Sequence, residues 1–196
     1  MKKLLLLLLL LPSAALALDT PTSYIRSNVD AVVAILSSPE YKDETTREAQ
    51  MQKIEAIVDG FFDAEELSKR SLGQYWRTFS PQQREEFQVL FLDLIKSVYM
   101  KKSVAYNGEV VSFNQEIVKS DTQAEVHTTI TSPQLNIPVI YYMLRKDASW
   151  RVYDVSVENV SLVKNYRSQF QSILQNNTPD QLITILKGKT KENTNE

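Results

Sequence analysis

At Asn107-Gly108 the spacing of apolar residues changes. Before it they recur about every 3.6 residues, after it about every 2, and from Leu162 the helical spacing returns. The two periods put side chains on incompatible faces, so the chain must divide into helices, then strands, then helices. The connections Lys119-Ser120-Asp121 and Asp147-Ala148-Ser149 are short, which calls for antiparallel hairpins. The expected class is α+β: N-terminal helices, a four-stranded antiparallel sheet with one face under a helical layer, and C-terminal helices.

Ile25, Val29, Val32, Val33 and Leu36 mark a first helix ended by Pro39, and Ile54, Ile57, Val58 and Phe61 a second. Asp63 with Glu66 reads as a capping box opening a third helix through Leu67 and Leu72 to Trp76. Ser80, Pro81 and Gln83 supply an N-cap, a proline at N1 and a capping glutamine. The helix they open carries Phe87, Leu90, Phe91, Leu94, Ile95, Val98 and Tyr99 on one face. Strands are expected over 109–118, 122–132, 137–146 and 150–158, where Val, Ile, Thr and Tyr concentrate. Leu162, Val163, Tyr166, Phe170, Ile173 and Leu174 then mark a helix, and Thr178, Pro179 and Gln181 cap a last one. Residues 189–196 read as a disordered polar tail. With four glycines, no repeat and no linker, residues 18–188 form one domain.

Residues 1–17 have the order of a secretory signal: Lys2 and Lys3, eight leucines from Leu4 to Leu11, and an Ala15-Leu16-Ala17 cleavage site. Eight leucines fall short of the roughly 20 apolar residues a membrane span needs. The expected product is a soluble exported protein with neither lipid anchor nor retention signal. Cleavage takes Lys plus Arg from 22 to 20 against 24 Asp plus Glu, a net charge of −4. Such a balance argues against nucleic acid as a partner. The chain has no cysteine, so its stability must come from a hydrophobic core, which about 180 residues can supply. A bacterial periplasm fits better than a eukaryotic secretory route.

Few residues suggest catalysis. Any Ser-His-Asp triad would need His127, the single histidine, which lies mid-strand among threonines with no G-x-S-x-G elbow in the chain. Asp59, Asp63, Glu65 and Glu66 lack calcium-loop spacing and suit the start of a helix. No metal or nucleotide site is expected, and no cofactor. Apolar material is plentiful: Ile137, Val139, Tyr141 and Met143 face one side of the third strand, Ile140, Tyr142 and Leu144 the other. One face can meet the helices; the other needs either the terminal helices or a ligand. Arg77 and Arg167, each beside an aromatic residue, are candidates for a phosphate head group or a partner's surface, or else are surface residues whose stems cover the core.

Several blocks together resemble the MlaC, or toluene-tolerance, family of periplasmic phospholipid-binding proteins. They are Phe62-Asp63-Ala64-Glu65-Glu66-Leu67-Ser68, Tyr75-Trp76-Arg77-Thr78, Ser80-Pro81-Gln82-Gln83, Ile137-Pro138-Val139, Trp150-Arg151-Val152-Tyr153-Asp154-Val155, Val160-Ser161-Leu162-Val163 and Asn165-Tyr166-Arg167-Ser168-Gln169-Phe170. They span nearly the whole mature chain in order; the usual glycine before Val160 is Asn159 here. The resemblance implies an NTF2-like core with a deep apolar cavity for acyl chains. It also implies a soluble shuttle between an outer-membrane lipoprotein–porin complex and an inner-membrane ABC transporter with an MCE-domain subunit, maintaining outer-membrane lipid asymmetry; the chain is expected to be a monomer. None of this follows from spacing or periodicity.

On that reading the acyl chains lie between the sheet and the helix bearing Phe87 to Tyr99. The lining expected is Val139, Tyr141, Met143, Val152 and Val155 from the sheet, with Phe91, Leu94, Tyr99, Tyr166 and Phe170 from helices. A hopanoid or quinone would suit the same pattern. Two other readings stand beside it: an NTF2-like isomerase with Asp154 or Glu125 as base in an apolar pocket, and an envelope interaction module with no cargo.

Overall fold

The computed structural model describes residues 20–103 and 106–195, without the side chains of 99–103 and 191–195. The expected signal segment therefore lies outside the described residues. Helices α1 (Pro21–Ser37), α2 (Pro39–Lys42), α3 (Glu44–Phe61), α4 (Ala64–Leu72) and α5 (Pro81–Ser103) come first, with a 3-10 turn, Gly73–Thr78, between the last two. Strands β1 (Val110–Ser120), β2 (Gln123–Thr131), β3 (Asn136–Lys146), β4 (Ser149–Val157) and β5 (Val160–Ser161) follow, then α6 (Leu162–Leu174) and α7 (Pro179–Asn195).

Local chemistry explains most of the helix boundaries. The Ser80 N–H donates to Gln83 Oε1 at 2.9 Å and the Gln83 N–H to Ser80 Oγ at 3.2 Å, a reciprocal cap for α5. Thr178 and Gln181 do the same for α7, at 2.8 and 3.4 Å. At α4 only half of the expected box forms. Asp63 Oδ1 accepts from the Glu66 N–H at 2.9 Å, but the Asp63 N–H goes to the Val152 carbonyl at 2.9 Å, and the Glu66 carboxylate turns to Arg70 at 2.7 Å. A tertiary partner has taken the donor that the box would use. α4 also stops at Leu72 and does not reach Trp76, because Gly73 turns to φ +57°. The tail expected from Lys189 instead continues α7 to Asn195. No proline follows Gly188, and Lys189, Thr190, Lys191 and Glu192 tolerate helix.

The sheet is an antiparallel meander in the order β1-β2-β3-β4-β5. It has five strands where four are expected, the addition being the two-residue β5, too short to show a period. Val126 pairs with Tyr141, and Tyr141 in turn with Val155. Between Tyr142 and Met143 the register shifts, leaving Tyr153 without an opposite residue. That bulge puts Val152 and Val155, three positions apart, on the face carrying Tyr141 and Met143, which strict alternation forbids.

Among the described residues the interior holds three apolar clusters where a domain of this size usually has one dominant core. The largest joins α4, α5, α6 and α7 around Phe87, Phe91, Tyr166 and Phe170. A second lies on the inner sheet face, where Ile25 from α1 meets Val126, Met143, Trp150 and Val152. A third, smaller one holds Leu36, Tyr41 and Ile54 where α1, α2 and α3 meet.

Candidate functional site

Nine of the ten apolar residues expected to line one cavity fall into two groups. Phe91, Leu94, Tyr166 and Phe170 belong to the helical cluster and are 0 to 9% exposed. Their rings interlock, Phe91 lying 5.0 Å from Tyr166 and 5.2 Å from Phe170 between centroids. Met143 and Val152 are fully buried under the inner sheet face, where Tyr141 and Val155 pack at the edge, and Val139 is buried on the same strand as Met143. Tyr99 lies on α5, but its side chain is outside the described residues. The inner sheet face is met by α1 and by Phe61 and Phe62 at the end of α3, and β4 also by α4 and α6, whereas α5 turns its apolar face toward α7 and α4. Helical periodicity defines an apolar face without naming what it meets.

The residues that do stand against the inner sheet face come from α1 and α3. Phe61 and Phe62 meet edge to face at 5.1 Å, Phe61 meets Tyr141 edge to face at 5.9 Å, and Tyr24 stacks on Phe61 at 6.0 Å. The Tyr24 hydroxyl donates to the Gly60 carbonyl at 2.8 Å, tying α1 to the last turn of α3. All four rings are half-buried, unlike the Met143 and Val152 side chains beneath. Burial pushes the Tyr141 hydroxyl above the ordinary phenol pKa, opposed by a hydrogen bond with Thr128. The residue is nonetheless only half-buried, and with Tyr24, Phe61 and Phe62 it forms an aromatic seam between the sheet face and α1 and α3. Phe62 packs against both the helical cluster and the sheet cluster, and so stands between them. Adjacent aromatics closing a helix, Phe61-Phe62, were the available sequence signal for this group.

One ionic contact joins α3 to α5 beside the seam. Lys96 Nζ lies 2.8 Å from Asp59 and 2.9 Å from Asp93. Burial works to lower the Lys96 pKa, but the hydrogen bonds to the two aspartates outweigh it and hold it above the ordinary lysine value.

The two carboxylates that an isomerase would use are engaged elsewhere. Asp154 accepts the Ser161 hydroxyl at 2.6 Å and the Val163 N–H at 3.0 Å, fixing the start of α6. Burial favours protonation of Glu125, but hydrogen bonds from Lys119, at 2.8 Å, and His127, at 3.3 Å, prevail and hold its pKa below the usual carboxylate range. Neither is a base poised in an apolar pocket. Among the described residues no group of three or more ligands could hold a metal, and no helix is long and apolar enough to cross a membrane.

Arg77 and Arg167, 90 positions apart in sequence, are brought to the same open cleft of about 590 Å³, with Lys69, Arg70, Gly73, Gln74, Trp76 and Glu66. A second open cleft, about 410 Å³, lies between the start of α4 and the β3–β4 turn. Its Lys146 is paired with Glu65 at 3.2 Å and Asp63 at 3.5 Å. None of the nine apolar residues whose side chains are described lines either cleft.

Helices over one face of an antiparallel meander, with an apolar interior divided by half-buried aromatic rings, define an α+β fold built around interior apolar surface. The same fold occurs in a phospholipid-binding protein from Ralstonia solanacearum, solved in complex with a phospholipid. It has a TM-score of 0.76 at 20% identity, over 88% of this chain and 97% of that one. The family model described as MlaC protein matches residues 26–188, and the chain belongs to the MlaC family. Among its relatives is the toluene tolerance protein ttg2D of Pseudomonas putida, 24% identical over 184 residues, which are 93% of this chain and 86% of that protein. Another is the intermembrane phospholipid transport system binding protein MlaC of Haemophilus influenzae. It is 25% identical over 129 residues, 63% of this chain and 60% of its relative.

Proposed function

We propose that this protein is a periplasmic phospholipid carrier whose acyl chains enter the seam between the inner sheet face and the α1–α3 cover. The observation that carries this reading is the set of half-buried rings Tyr24, Phe61, Phe62 and Tyr141 between otherwise closed clusters. Family membership supports it: one relative is named for binding in intermembrane phospholipid transport, and a protein of the same fold holds a phospholipid.

In this reading Val139, Tyr141, Met143, Val152 and Val155 form the floor. Tyr24, Val29, Phe61 and Phe62 form the roof, while Phe91, Leu94, Tyr166 and Phe170 are the rigid mass behind it. About thirty methylenes in two acyl chains represent on the order of 24 kcal/mol of transfer free energy at roughly 0.8 kcal/mol each. Crossing water therefore requires a container of comparable apolar contact. When the container nearly balances the bilayer, modest affinity differences at each end set the net flux. The carrier travels between an outer-membrane lipoprotein–porin complex and an inner-membrane ABC transporter with an MCE-domain subunit. It needs no reactive group of its own, because energy coupling belongs to the transporter.

Native mass spectrometry of protein purified from the periplasm tests the proposal. The expected spectrum contains adducts with the masses of phospholipids, and the delipidated protein regains them from liposomes. Protein that carries no lipid and takes none up would overturn it.

A further inference from the structure

The cleft holding Arg77 and Arg167 is neither part of the seam nor an ordinary solvated face. None of its lining residues belongs to the sheet cluster or to the α1–α3 cluster. Four cations, Lys69, Arg70, Arg77 and Arg167, face one carboxylate, Glu66, in a chain whose overall charge is −2. Glu66 is already committed to Arg70 at 2.7 Å and Lys69 at 3.5 Å. Among the described residues, Arg77 and Arg167 form no ion pair.

The cleft is also held in shape. Gly73 turns α4 at φ +57°, a conformation that L side chains rarely adopt, and leaves the Arg70 carbonyl uncovered. Arg167 crosses Gly73, its Nε 3.6 Å from where a Cβ would stand, and donates to that carbonyl at 2.7 Å. One guanidinium nitrogen is thus used to close a helix end, and among the described residues the two Nη groups have no hydrogen-bond partner. Arg70 lies over the Tyr153 ring at 4.1 Å. Trp76 is fixed from behind by Arg84, which donates to its carbonyl at 3.0 Å and sits 5.0 Å from its ring.

We propose that this cleft docks an acidic segment of a protein partner, with carboxylates meeting the Nη groups of Arg77 and Arg167 and an apolar side chain meeting Trp76. Guanidinium groups pair two-pronged with carboxylates, and arginine with tryptophan is the composition of interface hot spots. The open cleft of about 590 Å³ has room for a protruding peptide segment, and its excess of positive charge suits an acidic one. The inference rests on the carrier reading only in that a carrier must dock somewhere.

The test places a photo-cross-linking amino acid at Gln74, which is exposed and lines the cleft, in the full chain exported by Gram-negative cells. The expected result is an adduct with an envelope protein, mapping to a segment rich in Asp and Glu. It should fall at least tenfold in Arg77→Glu and recover when an acidic residue of that segment is changed to lysine. Because Arg167 also closes α4, Arg77→Glu is the primary variant and Arg167→Gln the second. No adduct, an adduct with phospholipid, or a protein adduct that survives Arg77→Glu would each overturn the proposal. Lipid co-purifying with the same samples reads the carrier function separately: Arg77→Glu should carry as much as the parent, and its absence from both would sink the carrier reading while leaving the docking result intact.

Discussion

The two largest apolar regions contrast in how they are finished. In the helical cluster, Phe79, Phe87, Phe91, Tyr166 and Phe170 are buried and each ring meets another at 5.0 to 5.8 Å. Under the sheet, Met143 and Val152 are as deeply buried, but the rings above them keep accessible surface. The first region is closed on every side by its own rings. The second has a closed floor and an unfinished roof. Residues of similar chemistry are therefore packed differently according to whether their neighbours close over them.

Four perturbations would break or sharpen that contrast. The largest effect belongs to Phe87→Ala, which removes a fully buried ring touching three others and should cost about 3–5 kcal/mol in urea unfolding. Tyr141→Ala should cost clearly less, about 1–2 kcal/mol, yet strongly reduce co-purified lipid. Equal losses of stability for the two would erase the distinction between core and seam.

Lys96→Ala should lower stability by about 1 kcal/mol and speed lipid exchange with liposomes, since it cuts the ionic tie between α3 and α5. The pH dependence follows from its raised pKa. The tie is fully present below the ordinary lysine value of about 10.4 and is lost as pH rises through the higher folded value. Exchange should therefore be flat through neutral pH and accelerate only at strongly alkaline pH; acceleration near pH 7 would implicate another group.

The smallest effect is Ala148→Gly. Asp147 and Ala148 sit at φ 50° and 65° in the β3–β4 turn, and glycine at the second position should raise stability by about 1 kcal/mol. It should leave lipid content unchanged, as the turn lies outside the seam.

What could be read from sequence was local. The caps at Ser80 and Thr178 depend on residues three apart, and the structure contains both. The bulge at Tyr153 was not legible, because alternation does not say where an extra residue enters. Val152 and Val155 were nonetheless both marked, and only the bulge reconciles them. An apolar stripe does not name its partner: α5 packs on α7 and α4, while Tyr24, Phe61 and Phe62 stand against the sheet. Arg77 and Arg167 stood out beside aromatic residues, but their meeting required α4 to pack on α6. Asn159, where the family usually has glycine, takes φ 66°. Asparagine is among the few other residues that tolerate this conformation.

The tie between Thr22 and Glu116, where the α1 backbone N–H donates to a β1 carboxylate 94 residues later at 2.8 Å, has a kinetic consequence. A polypeptide emerging N-terminus first presents the apolar stripe of α1 long before its platform exists. The helical cluster offers no earlier refuge, since it is completed only by α6 and α7. Folding must therefore wait for nearly the whole chain, and in that interval the nascent molecule is sticky. The roof is made first but can be fastened only once the sheet exists.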